Sequence, residues 1–309
     1  MEIVVFGVGS LGSLVGGLLA RRHLVTLVGR DPHVARVREA GLRVSGAIDA
    51  EVRPDARTTL PDRSADLAIV TVKSYDTAAA ADALADADAG AVLSLQNGLT
   101  EEILADRIDA PVLSGTATYG ARLLGPGRVE CTGVGGIALG AHGGGRSPVA
   151  ERVAAALRAA DLEATAATDM PLRRWEKLAV NAGINAVTAL ARVENGALAD
   201  GEAATLARTA ARETARVARA EGVHLTNRRA RDALCEVVDA TAANRSSMLQ
   251  DVDAGARTEV DAINGVVVER ARRHGLDAPT NRTLAGLLRA WESERELRPV
   301  EGGAADHSM

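Results

Sequence analysis

Gly7-Val8-Gly9-Ser10-Leu11-Gly12 constrains the fold of this chain more than any other stretch. Ahead of it, Ile3-Val4-Val5-Phe6 is an unbroken run of β-formers, the pattern of a strand buried on both faces of a parallel sheet. Behind it, Leu11, Leu14, Val15, Leu18 and Leu19 share one face of a helix reaching Arg22, and Leu24 to Val28 reads as a second buried strand. G-x-G-x-x-G at the turn of such a βαβ unit points to dinucleotide binding. The first glycine makes the turn, the second admits a pyrophosphate and the third lets helix and strand pack closely, while the helix N-terminus faces the anion. Gly7, Val8, Gly9, Ser10, Leu11 and Gly12 are therefore the expected cofactor loop.

The alternation of strand and helix continues. Asp31-Pro32 supplies a cap and a first-turn proline for the next helix, and Leu67–Val72 and Ala91–Leu95 read as buried strands around an Ala-rich helix. Between 111 and 140, the shorter runs Arg128–Cys131 and Gly136–Leu139 are set off by Gly-rich turns and point to antiparallel or edge pairing. Ser147-Pro148 opens another helix. From Thr168-Asp169-Met170-Pro171 onward a helical period takes over, with capping boxes expected at Ser247–Gln250 and Thr258–Asp261. The expected fold class is α/β: a Rossmann-like doubly wound sheet over residues 1–168, then a smaller all-α domain over 169–300 and a polar tail, 301–309.

Composition narrows the function classes. With 36 Lys+Arg against 41 Asp+Glu and a net charge of −5, the chain offers no footprint for nucleic acid, and its five aromatic residues could not stack a single strand. No apolar run approaches the roughly 18 residues needed to span a bilayer, so neither a signal peptide nor membrane association is expected. Cys131 and Cys235 lack metal-ligand spacing, which points to no metal site and to a reducing cytoplasm. The Ala-rich helical domain is compatible with a homodimer, though no heptad run requires one.

Where a second strand ends, NAD enzymes usually present Asp or Glu to the ribose; here Gly29-Arg30 stands there, and a guanidinium suits a 2′-phosphate, so NADPH is favoured. Lys73 and Asn97 follow two further strands, at the carboxyl ends where open α/β sheets bind ligands, although Gln96-Asn97-Gly98 is also an ordinary turn sequence. In the second domain Lys177, Asn181 and Asn185 are spaced i, i+4, i+8 on one face of an otherwise apolar helix. Either that stripe faces solvent or a polar ligand meets it.

Taken in order, Gly7 to Gly12, Lys73, Gln96-Asn97-Gly98, Trp175 to Asn185, Glu194-Asn195-Gly196, Asn244 to Asp251 and Arg257 to Gly265 resemble the ketopantoate reductase family over most of the chain. The resemblance implies NADPH-dependent reduction of 2-dehydropantoate to (R)-pantoate. It implies Lys177 as general acid, Asn97, Asn181, Asn185, Asn195, Asn244 and Ser247 as substrate contacts, and Glu259 where substrate and cofactor meet. It also implies cofactor contacts from the glycine loop, Arg30, Lys73, Asn97 and the backbone near Ala121. Family members commonly carry Pro where this chain has Ala186, and Pro where it has Glu194. Both departures adjoin substrate positions, so a relative acting on another branched 2-keto acid, giving a D-2-hydroxy acid, is the alternative; a dinucleotide sensor without turnover is a third. Arg245 is a candidate helper for the substrate carboxylate, whereas Glu102 and Glu176 read as solvated helix charges.

Overall fold

A computed structural model describes residues 1–298; the expected tail at 301–309 lies outside the described residues. In chain order the elements are β1 (Glu2–Phe6), α1 (Ser10–Leu19), β2 (Leu24–Val28), α2 (His33–Ala40), β3 (Leu42–Gly46), β4 (Ala50–Val52), β5 (Asp55–Arg57), β6 (Leu67–Val70), α3 (Thr77–Ala85), β7 (Val92–Ser94), α4 (Glu101–Ala105), β8 (Val112–Ala117), β9 (Gly120–Gly125), β10 (Arg128–Gly133), β11 (Ile137–Ala141), α5 (Pro148–Ala159) and β12 (Ala164–Ala166). Helices follow: α6 (Met170–Ala191), α7 (Gly201–Ala220), α8 (Asn227–Ala240), α9 (Ser247–Asp253), α10 (Val266–Arg273) and α11 (Pro279–Ser293). The chain divides into two compact units, Met1–Arg174 and the part from Trp175 onward.

In the first unit eight strands run in the order β12-β11-β8-β7-β6-β1-β2-β5, parallel from β8 through β5, with β11 antiparallel to β8. The near-continuous apolar runs of β1, β2, β6 and β7 have a direct cause. Ile3, Val5, Leu27, Ile69 and Leu93 pack with Leu14 and Leu18 of α1 and Leu157 of α5, while the alternate positions Ala68, Val70 and Val92 pack with Ala80 and Leu84 of α3 and Leu104 of α4. Both faces are buried, so no polar alternation survives. Each fully buried Leu or Ile contributes about 1.5–3 kcal/mol.

A second sheet, β4-β3-β10-β9, was not foreseen. Its strands β3 and β10 pair in parallel across most of the unit, Arg128 opposite Arg43 and Cys131 opposite Gly46. Three details of capping also differ from expectation. Pro32 occupies the N-cap of α2 rather than its first turn, and the Asp31 carboxylate accepts the Ala35 N–H at 3.0 Å. Ser246, not Ser247, caps α9, its Oγ accepting the Leu249 N–H at 3.1 Å. The box at Thr258–Asp261 does not close: the Thr258 N–H and hydroxyl both donate to Glu292, at 2.8 and 2.6 Å, and Asp261 turns instead to Arg289 and Arg298.

In the second unit α6 and α7 pack by close backbone approach. α7 buries Ala204, Ala207, Ala210, Ala211, Ala215 and Ala218, and a methyl group placed on Gly183 of α6 would lie 2.8 Å from the Ala207 carbonyl oxygen. Glu213 of α7, buried, accepts the Thr280 and Asn281 N–H groups at 3.0 Å each and so caps α11 across the helix interface.

One buried ion pair ties the start of α6 into the first unit. Arg174 (9% exposed) donates to Glu101 (2% exposed) at 2.8 Å, and its second terminal nitrogen reaches the His142 carbonyl at 3.4 Å. Removing one member of such a pair strands a buried charge and costs about 3–5 kcal/mol, whereas replacing both by apolar residues is often neutral. Arg174→Ala is therefore expected to lose that much stability in urea unfolding, and Glu101→Leu combined with Arg174→Leu to recover most of it. Equal loss in the single and double variants would show that the site depends on the charges themselves.

Candidate active site

In the first unit the residues marked by sequence collect at the carboxyl ends of four adjacent strands, β2, β1, β6 and β7. β1 lies between β2 and β6, where the chain order of the sheet reverses, the usual place for a ligand crevice. Gly7 sits at φ +103° and donates its N–H to the Val28 carbonyl at 2.8 Å, so the loop leaves β1 against the end of β2. Gly12 approaches so closely that an added methyl would meet the Gly7 oxygen at 2.1 Å. At Gly9 the same addition meets nothing within 4 Å, and α1 begins there without a side-chain cap or an acidic residue in its first turn. Open space above an uncapped helix N-terminus fits a phosphate group, so the loop suits a dinucleotide.

The other cofactor candidates stand around this loop. Arg30 follows β2, is 86% exposed at its side chain, and pairs with Asp76 at 2.7 Å. Lys73 precedes a single 3₁₀ turn, Ser74–Asp76, after β6. Asn97 follows β7, and the buried Gln96 beside it donates to the Val72 carbonyl at 3.0 Å and the Thr77 hydroxyl at 2.8 Å, joining the two loops. In the sequence Gln96 stands out only as part of the Gln96-Asn97-Gly98 turn and motif, with no role of its own. Ala121 lies in β9 opposite Cys131, and β9 reaches the glycine loop two residues later, where the Leu123 N–H donates to Ser10 Oγ at 3.1 Å.

In the second unit Lys177 and Asn181 are partly exposed along α6 and Asn185 is 5% exposed. Two other segments converge on that helix. The Asn195 N–H donates to the Asn244 carbonyl at 2.9 Å, its amide donates to Thr241 at 2.9 Å, and its buried Oδ1 has no hydrogen-bond partner. Ser246 pins the same loop to α6 through a 2.7 Å hydrogen bond with Thr188, one turn beyond Asn185. This brings Asn185, Asn195, Asn244 and Ser247 into one neighbourhood, with Asn244 and Ser247 exposed.

From the other side, Asn264 donates to the Ala182 carbonyl of α6 at 3.0 Å. Asn264 belongs to a π-helical turn, Asp261–Gly265, that starts two residues after Glu259, itself 6% exposed. Glu292 (0% exposed) holds Thr258 from below, and Arg298 donates to both Glu292 and Asp261. Burial pushes the Asp261 carboxyl upward, but Arg289 and Arg298 outweigh it and hold the group below the usual range. The Glu259 segment is thus fixed by charges that sequence reasoning passed over, because their partners lie about thirty residues away. Two expectations need correcting. Arg245 is paired with Asp253 rather than standing free, and Glu176 is not a solvated charge but half-buried against Arg229.

Residues 3–144 match the model of a family described as ketopantoate reductase PanE/ApbA, and residues 169–292 match the corresponding C-terminal model. A 2-dehydropantoate 2-reductase of Halobacterium salinarum is 46% identical over 310 residues, covering 94% of this chain and 98% of its own. One of Archaeoglobus fulgidus is 41% identical over 294 residues, with 94% and 98% covered. Among solved structures, D-mandelate dehydrogenase with NADH and anilino(oxo)acetate superposes with a TM-score of 0.90 at 25% identity, covering 96% of this chain and 100% of that one. The ketopantoate reductase of Ralstonia eutropha JMP134 gives 0.87 at 31% identity, with 96% and 100% covered. Both halves of this chain match in order and the relatives align over nearly their full length, so it belongs to the ketopantoate reductase family.

Proposed function

We propose that this chain reduces 2-dehydropantoate to (R)-pantoate with NADPH. The observation that carries the reading is the stripe on α6: an ammonium and two amides at four-residue spacing on one helix face, the last of them buried. Burying a carboxamide costs free energy unless a polar group meets it, and a hydroxylated keto acid meets all three.

The residues have distinct tasks. Bound NADPH supplies a hydride to the C2 carbonyl carbon. Lys177 donates a proton to the carbonyl oxygen, and its ammonium stabilises negative charge there before the proton moves. Asn97, Asn181 and Asn185 hydrogen-bond the substrate, and the unpartnered Asn195 Oδ1 is available to a donor on it. Asn244 and the Ser247 hydroxyl hold the carboxylate, and Glu259 accepts a hydrogen bond from the 4-hydroxyl. Arg30 takes the 2′-phosphate, oriented by Asp76; Lys73 and the backbone near Ala121 complete the cofactor contacts. The two unpaired thiols suit a reducing compartment, and we place the reaction in the cytoplasm.

A second reading, reduction of another branched 2-keto acid to a D-2-hydroxy acid, draws on the likeness to D-mandelate dehydrogenase and on Ala186 and Glu194 beside substrate positions. A panel of 2-keto acids followed by NADPH absorbance separates the two. The ketopantoate reading requires 2-dehydropantoate to give the highest kcat/KM, and turnover of none of them would leave a dinucleotide sensor.

Arg30→Ala should erode preference for NADPH over NADH mainly through cofactor affinity. A charge-assisted contact is worth about 1.5–3 kcal/mol, or ten- to a hundredfold, and high exposure places this one near the lower figure. Equal use of both cofactors by the wild type would leave Arg30 a surface residue. Glu259→Gln should impair a 4-hydroxylated keto acid more than its deoxy analogue, since a site built to pair a hydroxyl is left mismatched when either partner changes; equal loss with both would assign Glu259 to capping. Lys177→Ala should lower kcat at least a hundredfold, the low end of the roughly 10²–10⁴ typical of general acid catalysis, with the NADPH dissociation constant nearly unchanged. A kcat within a fewfold of wild type would deprive the reading of its proton donor.

A further inference from the structure

A histidine unmarked by any motif lies beneath the glycine loop. His33, the first residue of α2, is 7% exposed and both ring nitrogens are engaged. The Gly127 N–H, in the turn between β9 and β10, donates to Nδ1 at 3.2 Å, and Nε2 stands 3.1 Å from Ser13 Oγ. Ser13 in turn donates its hydroxyl to the Val8 carbonyl at 3.1 Å. Two independent constraints then give one tautomer. Nδ1 must be bare to accept from Gly127, and Ser13, whose only proton goes to Val8, must accept from an Nε2–H. The ring is neutral, and burial, which pushes its pKa below the ordinary value, keeps it so.

The relay ends on a peptide that matters. The Val8 carbonyl and the Gly9 N–H belong to one planar trans unit and point in opposite directions. Holding the oxygen inward against Ser13 turns the Gly9 N–H outward, to the side where a methyl on Gly9 would meet nothing within 4 Å. We propose that His33 is a positioning residue for the cofactor: through Ser13 it sets the Val8–Gly9 peptide, whose N–H meets the pyrophosphate. The proposal rests on the dinucleotide reading of this loop. Because α2 begins three residues after Arg30, the same histidine also ties the loop to the segment that carries Arg30.

The test uses variants that cut the relay at different links. Ser13→Ala removes the link to Val8 with a change of one oxygen atom. His33→Asn retains an acceptor at the Nδ1 position for Gly127 but cannot reach Ser13, whereas His33→Gln carries a donor to the Nε2 position. Calorimetric titration with NADPH and with ADP-ribose, which has the pyrophosphate but neither the nicotinamide nor the 2′-phosphate, reads the effect. Loss of one oriented backbone donor corresponds to about five- to tenfold in affinity. Ser13→Ala and His33→Asn should weaken both ligands by that same factor, His33→Gln should restore most of it, and kcat at saturating NADPH should hold within twofold of wild type. Unchanged dissociation constants in Ser13→Ala and His33→Asn, with the wild type binding normally, would overturn the proposal alone, as would a lowered melting temperature without a change in affinity. Failure of the wild type to bind either ligand would overturn it together with the dinucleotide reading.

Discussion

The contact between Gly12 and the carbonyl of Gly7 decides how the first unit can present a ligand site. A methyl group at residue 12 would lie 2.1 Å from that oxygen, and the clash is with backbone, so no rotamer change relieves it. Keeping residue 12 bare lets the first turn of α1 fold back over the end of β1. The Gly7 oxygen is then reached by the Thr71 hydroxyl, at 2.6 Å, from the end of β6. Loop, helix and two strand ends therefore converge within one hydrogen bond of each other. Lys73, two residues after Thr71, and Arg30, two residues after β2, inherit their places from that convergence.

The second unit solves a different problem, which is how to keep polar side chains buried along α6. Alanine and glycine at the α6–α7 contact bring the backbones close and leave little room for side chains there, so the unit is fixed by polar links between helices as well as by packing. Asn264 joins α6 to the π turn and to Asn281, and Asn281 is held by Glu213 and the Ala210 carbonyl. A π turn admits one extra residue per hydrogen-bonded ring and is often found at functional positions. Here it lets Asp261 face Arg289 and Arg298 while Asn264 faces α6.

The residues proposed to carry the chemistry stand out in the sequence because each sits in a local pattern: glycines between a strand and a helix, polar residues four apart on one helix, a basic residue just past a strand. The main sheet was readable for a similar reason, since strands buried on both faces leave near-continuous apolar runs. What supports those residues was not readable. The β-like run Arg128–Cys131 is legible in the sequence and forms most of β10, but its parallel partner β3 is short, half-exposed and some eighty residues away, so the pairing that makes the second sheet carries no local signal. The Glu101–Arg174 pair, the Glu292–Thr258 contact and the His33–Ser13 relay each join residues that only the fold brings together. Ser246 and Ser247 show the limit at its finest: both residue types can cap, and the choice fell to Ser246 because Thr188 of α6 is there to meet it.

Ala186 illustrates how a departure from family pattern can be read physically. In a regular helix the N–H of residue 186 donates to the carbonyl of residue 182. A proline at 186 would lack that N–H and leave the Ala182 oxygen without its helical donor in a buried place. In this chain the Asn264 side chain donates to that same oxygen at 3.0 Å. With Ala186 the oxygen receives both donors, as its two lone pairs allow; with proline Asn264 alone would satisfy it. The cross-link from the Glu259 segment to α6 therefore does not depend on which residue stands at 186. What the alanine changes is the helix itself: α6 runs unbroken from Met170 to Ala191, without the steric push that a proline ring exerts on the preceding turn. Asn181 and Asn185 consequently keep regular helical spacing along one face of α6.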